Sequence, residues 1–426
     1  MATLNVTPGR RHDLDWLRVL CITLLLYYHV GMIYVSWGFH IQSAETSPLL
    51  EHVMLWMHRW RMPLLFFISG AGTRFALGKR SAGRYLGERW LRLQVPVLFA
   101  MFVIVPPQIY IERIDQYASF AEFYPSVLEL VPYPEGSFSW HHLWFVMYLF
   151  CYSVAALPLF LWLRSDRAAG LRDGLARWMA HPARTALLVV PVLAAELALR
   201  PHFPENTHAL VGDWANLAFN ALFFVFGFVV CLDDRLWAAL KRQRRAHLGA
   251  ALAATVAMVV VYDFVPSVTN ADALWFVPGA LTSFFWVVAL VGYGQAYLSK
   301  GHPALRHLNE GVYPFYILHQ TVILAVGYVV LQWGLGVWGG FAVISTASLV
   351  GSVGIYLLFV RPFDPARILF GMRPKTTRSV APTAPASGLV GHPVAAPEAT
   401  ALPVRTDRAA VTTESPRPVL PDLAEA

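Results

Sequence analysis

Along most of this chain apolar stretches of roughly 18 or more residues recur, each long enough as a helix to cross a hydrocarbon core about 30 Å thick. They fall at about 15–37, 52–77, 91–111, 142–163, 185–200, 214–232, 247–264, 273–295, 312–332 and 338–360. None alternates as a barrel strand does, and unpaired backbone groups in lipid are prohibitive, so each stretch is predicted to be a helix. The expected fold class is an all-α integral membrane protein. It is a bundle of about ten transmembrane helices with both termini cytoplasmic.

Orientation follows from the charges between the stretches. Arg74, Lys79, Arg80, Arg84, Arg89 and Arg92 follow the second, and Arg164, Arg167, Arg172, Arg177 and Arg184 follow the fourth. Arg235, Lys241, Arg242, Arg244 and Arg245 follow the sixth, and Lys300 and Arg306 the eighth. Basic loops stay inside. The long connection before the fourth stretch holds Glu112, Asp115, Glu122, Glu129 and Glu135 against Arg113, and is assigned outside. An even number of spans then puts Arg10 and Arg11 on the same side as Arg361, Arg367, Arg373 and Lys375.

Composition fits a lipid environment, with 57% hydrophobic residues and 14% charged, against about 25% charge in soluble domains. Asp15 and Arg18 at its start, and the absence of a small-residue cleavage site, make the first stretch a retained helix rather than a cleaved signal. Cys21, Cys151 and Cys231 lie inside apolar runs at no metal or redox spacing and read as packing residues. The net charge of +7 is spread over short loops, which argues against nucleic acid as a partner and for membrane topology. Residues 1–370 are expected to form the polytopic membrane domain. Residues 371–426, rich in Ala and Pro, are expected to be a disordered cytoplasmic tail.

Polar residues inside the stretches carry the chemical information, because an ionisable group at membrane depth is costly and usually faces a cavity or a partner. The first stretch holds Asp15, Arg18 and His29. Eleven residues are close to three turns, so Arg18 and His29 share a face about 16 Å apart, and Asp15 falls near Arg18 where the two can pair. The plainer reading makes Asp15 and Arg18 an anchor and His29 a satisfied core residue. The second stretch carries His58, Arg59 and Arg61 before Pro63, then Ser69, Gly70, Ala71 and Gly72. Its arginines either snorkel to headgroups or bind an anion, and its glycines read as helix-packing positions. The fourth opens with His141 and His142, which on a regular helix diverge by about 100°, so at most one easily faces a site and metal ligation by the pair is not expected. The ninth has Pro314, with His319 and Gln320 further along.

An Arg followed after ten residues by a His, then PLLFFISG, ERWLRLQVPVLF, HHLWFVMYL and VYPFYILHQTVI, resembles the membrane acyltransferase-3 family over roughly residues 10–365. Within that family the segments HVGMIYVSWGFHIQSAETS and MHRWRMPLLFFISG are similar to the glucan biosynthesis protein C group, understood to succinylate periplasmic glucans. The resemblance maps the family's polar residues onto Arg18, His29, Arg61, His142 and His319, with Arg59, His141 and Gln320 less directly supported. It implies acyl-coenzyme A (succinyl or acetyl) as donor substrate, no permanently bound cofactor or metal, a periplasmic glucan or other saccharide as acceptor, and the bacterial inner membrane as location.

On that basis His29 is expected to be the general base and Arg18 to hold a donor phosphate or pantetheine, or only to orient Asp15. Arg61, with Arg59, is expected to take the free carboxylate of a succinyl group, and His142 and His319 to line the outer cavity and bind or polarise sugar or thioester. Ser69 lacks a nucleophile elbow, so direct transfer is favoured over a protein ester. Two other readings stay open: O-acetylation of another surface polysaccharide or a small molecule, and a transporter or flippase using the same buried groups as a path. Sequence leaves the acceptor and the oligomeric state open.

Overall fold

Helices account for every one of the ten apolar stretches in the computed structural model, which describes residues 11–375 apart from 182, 183, 266 and 269. Beyond residue 375 the expected tail lies outside the described residues. Among those described there is no strand, only an isolated bridge between Pro132 and Phe138. Six helices are long and apolar enough to cross a membrane, or seven if the pair His141–Ala155 and Leu157–Arg164, bent by 51°, is one span. The protein is thus an all-helical, multi-pass membrane protein.

Helix α1 (His12–Gly31) buries Leu14, Leu17, Cys21, Leu25, Tyr28 and His29, and the last two bring its polar atoms to the centre of the bundle. Helix α2 (Pro48–Leu77) starts at Ser47, whose hydroxyl accepts from Leu50 N at 3.4 Å. Pro63, inside it, cannot donate to the Arg59 carbonyl one turn back, which loosens the helix beside its two arginines. A helical stretch, α3 (Ala82–Glu112), follows, then α4 (Trp144–Ala155) and α5 (Leu157–Arg164), separated by the bend. The longer helices that follow are α6 (Ala169–Met179), α7 (Val190–Leu199), α8 (Trp214–Val230), α9 (Asp234–Phe264), α10 (Ala273–Tyr297), α11 (Pro303–Val330) and α12 (Gly336–Ile355). Helix α1 packs on α2, α10, α11 and α12, and α2 on α8 and α10, so α1 and α2 sit where most of the bundle converges.

Two basic segments expected as loops are helical. Arg235 to Arg245 form the first turns of α9, because Leu236, Trp237, Leu240 and Gln243 recur at helical spacing and bury one face while the cations project from the other. Ala169–Met179 likewise is a short amphipathic helix, burying Ala176 and Met179.

Gly70 fulfils its packing role and Gly72 does not. A Cβ on Gly70 would collide with the Phe224 carbonyl and one on Gly227 with the Phe67 carbonyl, whereas a Cβ on Gly72 meets nothing within 4 Å. The close approach of α2 and α8 rests on these two absent side chains. Gly227→Ala is expected to destabilise the fold by about 1–3 kcal/mol through overpacking. Thermal unfolding in detergent checks this, with Gly72→Ala melting like the parent.

Candidate active site

The polar residues of α1 and α2 meet across a cavity of about 840 Å³ that is walled by Tyr28, His29, Arg59, Arg61, His142 and Gln320, among others. His29 is 9% exposed, and its Nδ1 lies 2.9 Å from Nε2 of His319, with the two rings within 13° of parallel. His319 is fully buried and does not line the cavity, contrary to the expectation that it faces the substrate. It stands behind His29, with its own Nδ1 2.6 Å from the Tyr316 carbonyl. The α11 helix that carries it packs directly on α1, which is how residues 290 apart in sequence come to share a hydrogen bond.

Both His141 and His142 line the cavity, where a regular helix would have directed only one there. The reason is local: residues 141–143 form a 3-10 turn before α4, and His141 has a φ of +40°, so the 100° rule does not apply. His142 Nε2 donates to the Ile317 carbonyl at 3.1 Å and Tyr316 OH donates to the His142 carbonyl. The His142 ring stands edge-on to His319, 5.3 Å between centroids.

Arg61 is 7% exposed, and its Nε and Nη1 are buried without a hydrogen-bond partner among the described residues. Its guanidinium carbon lies 3.3 Å from the centre of the Tyr28 ring, next in sequence to His29. Arg59 Nε is also buried and unpartnered, with the guanidinium 4.6 Å from the Trp275 ring. Glu196, which lines the same cavity, is occupied by Arg200 through two bonds of 2.9 Å. A buried cation without a counter-charge costs several kcal/mol, which an incoming anion would relieve.

Asp15 and Arg18 pair at 3.5 Å as their spacing predicted, but neither lines the cavity. They lie three to four turns earlier on α1, roughly 16 Å or more from His29 at 1.5 Å per residue. Ser69 is not in the lining either.

Several lining groups carried little sequence signal. His40, in the connection after α1, has Nδ1 2.5 Å from Glu112, which also accepts from Tyr133 OH at 2.8 Å. Burial, together with that bond, pushes the Tyr133 hydroxyl up to about 12. Gln320 Nε2 donates to His40 Nε2 at 3.1 Å. His40, Glu112 and His141 bring possible metal-ligand atoms within 4.8 Å of one another. The His40 and His141 rings lie 4.8 Å apart and 14° from parallel, and the Glu112 carboxylate between the connections is already held by His40 Nδ1 and the Tyr133 hydroxyl. His208 stacks on Trp144 at 4.4 Å, and burial, reinforced by the Arg61 charge, holds its imidazole down to about 4 and therefore neutral. Its loop is pinned by Asp213, which accepts from His208 N at 3.1 Å and Asn216 Nδ2 at 2.8 Å, and by Arg200 Nη1 donating to Asn206 at 2.8 Å.

A helical membrane bundle with a buried imidazole, a neutral histidine and guanidinium nitrogens left without partners around one cavity suits group transfer to a hydroxyl. The chain belongs to the acyltransferase-3 family, whose acyltransferase domain it matches over residues 11–357, and it is a membrane acyltransferase moving groups other than amino-acyl groups. Among similar proteins are Glucans biosynthesis protein C of Salmonella paratyphi A and of Salmonella agona, each 24% identical over 342 residues, 76% of this chain and 85% of the relative. The protein of that name from Salmonella paratyphi B is 24% identical over 163 residues, 38% of this chain and 41% of its own length. No solved structure matches the chain.

Proposed function

We propose that the protein succinylates hydroxyls of a periplasmic glucan, taking the acyl group from succinyl-coenzyme A across the bacterial inner membrane. The observation that carries this reading is the buried, unpartnered Arg61 beside His29: a guanidinium fork matches a carboxylate, and an acetyl group brings none. The similarity to proteins named for glucan biosynthesis supports the acceptor.

All ten helical stretches span the bilayer in this reading, with both termini cytoplasmic and the acidic connection containing Glu112 to Glu135 facing the periplasm. Residues 1–370 are then the polytopic acyltransferase domain, and 371–426 a cytoplasmic tail. Coenzyme A remains on the cytoplasmic side, where Arg18, oriented by Asp15, meets a donor phosphate or the pantetheine. The thioester reaches His29 from within and the sugar from the periplasmic mouth, so no protein-bound acyl carrier is needed. His29 removes the hydroxyl proton as the oxygen attacks the acyl carbon. The carbon–sulfur bond breaks, and the proton passes to the leaving thiolate. Arg61, assisted by Arg59, holds the distal carboxylate. His142 and the neutral His208 border the sugar, and no metal or permanent cofactor takes part.

Deleting the protein from its cell is expected to remove the succinyl substituents, and the negative charge they bring, from periplasmic glucans. Mass spectrometry of the extracted glucans checks this. Unchanged succinylation removes the proposed acceptor and acyl group.

A further inference from the structure

We propose that His319 is a positioning residue that fixes the tautomer of His29, so that the base presents a bare Nε2 to the cavity. The proposal rests on the reading of His29 as general base and adds what selects its reactive edge.

The argument is a count of protons along one line of hydrogen bonds. A backbone carbonyl only accepts, so the 2.6 Å contact to the Tyr316 oxygen places a hydrogen on His319 Nδ1. In the neutral ring Nε2 of His319 is then an acceptor. The 2.9 Å contact between that atom and His29 Nδ1 needs one hydrogen, which only His29 can supply. His29 is therefore the Nδ1–H tautomer and its Nε2 keeps its lone pair. The ring centres are 5.0 Å apart for a nitrogen–nitrogen contact of 2.9 Å, so the two nitrogens lie close to the line joining the centres and the N–H points nearly along both ring planes. His319 is 0% exposed and absent from the cavity wall, so no substrate competes for its nitrogens. The next carbonyl of α11, that of Ile317, fixes His142 in the same manner: its Nε2 carries the hydrogen and its Nδ1 is left without a partner.

The arrangement serves both halves of transfer. The acceptor hydroxyl gives its proton to His29 Nε2 as the new carbon–oxygen bond forms. The resulting imidazolium keeps its Nδ1–H on His319 Nε2, which shares the positive charge through the hydrogen bond. When the carbon–sulfur bond breaks, Nε2 returns the proton to the sulfur, giving ester and free thiol. A backbone carbonyl followed by an imidazole thus orients His29 and takes up part of its charge, a task usually given to a carboxylate.

Two substitutions separate this from a packing role. In His319→Asn the amide nitrogen takes the place of Nδ1 and keeps the Tyr316 contact, but nothing reaches His29. In His319→Gln the side chain extends to the Nε2 position and offers His29 an oxygen acceptor. In the purified full-length protein the Asn variant is expected to lose about 10²-fold or more in kcat with KM changed by less than about threefold, and the Gln variant to stay within about tenfold of the parent. Equal rates for the two, or parental kcat in the Asn variant, overturn the proposal. Nitrogen-15 NMR of histidine-labelled parent protein needs no variant: a protonated Nδ1 and bare Nε2 on His29 are expected, and the opposite tautomer overturns the proposal. His29→Ala keeps the two levels apart. Turnover retained there removes the base itself, whereas an inactive His29→Ala beside equal Asn and Gln rates removes only the positioning role.

Discussion

Replacing His29 by alanine is expected to leave a correctly inserted protein whose acyl transfer is slower by about 10²- to 10⁴-fold, the usual worth of a general base. The loss falls on kcat, because the acceptor hydroxyl still binds but keeps its proton during attack. Stability changes little by comparison. The imidazole touches the cavity on one side, so the gap left by its removal opens into existing space rather than into the packed core. Initial rates of label transfer from radiolabelled succinyl-coenzyme A to glucan, measured beside the thermal unfolding of the same preparation, check both halves. The neighbouring Tyr28 provides the control. Tyr28→Phe keeps the ring under Arg61 and removes only the hydroxyl contact to His58 Nδ1 at 2.9 Å, and it is expected to retain most of the turnover.

Arg61→Ala is expected to change which donor is used. Hydrogen bonds to a charged group contribute about 1.5–3 kcal/mol, so kcat/KM for succinyl transfer is expected to fall roughly 10- to 150-fold. Acetyl transfer, which leaves the guanidinium idle, is expected to change by less than about threefold. The same variant is expected to melt no lower than the parent, because it removes a cation whose Nε and Nη1 are buried without partners. Competition between the two donors in one reaction, read by mass spectrometry of the product, gives the ratio directly. Equal loss of both transfers would assign Arg61 to the reacting carbonyl or to the fold instead of to the carboxylate.

What could be read in the sequence follows from what helical spacing encodes. The polar stripe of α1 and the misplaced cations of α2 stood out because lipid penalises them wherever they point. Their spacing gave the face and the Asp15–Arg18 pair, but not depth relative to a cavity. Arg18 shares a face with His29 and still lies outside the lining. Nor does spacing within one helix say which other helix it meets, so the contact from His29 to His319 was not legible, although each residue was noticed singly. His40, Glu112 and His208 were passed over for a different reason. They belong to connections or to a helix end, where a polar residue is unremarkable, and only the folding of those segments over the cavity gives them a role. The expectation that at most one of His141 and His142 faces the site failed because it assumed a regular helix where the chain makes a 3-10 turn.

The most direct test places the protein in sealed vesicles with one orientation, labelled succinyl-coenzyme A on the side of its basic loops and a glucan on the other. The account predicts succinate esterified to the enclosed glucan, dependent on His29, with free coenzyme A appearing only on the donor side. Glucan left unlabelled while the parent protein is folded and supplied with both substrates, or label transferred equally by His29→Ala, would contradict it.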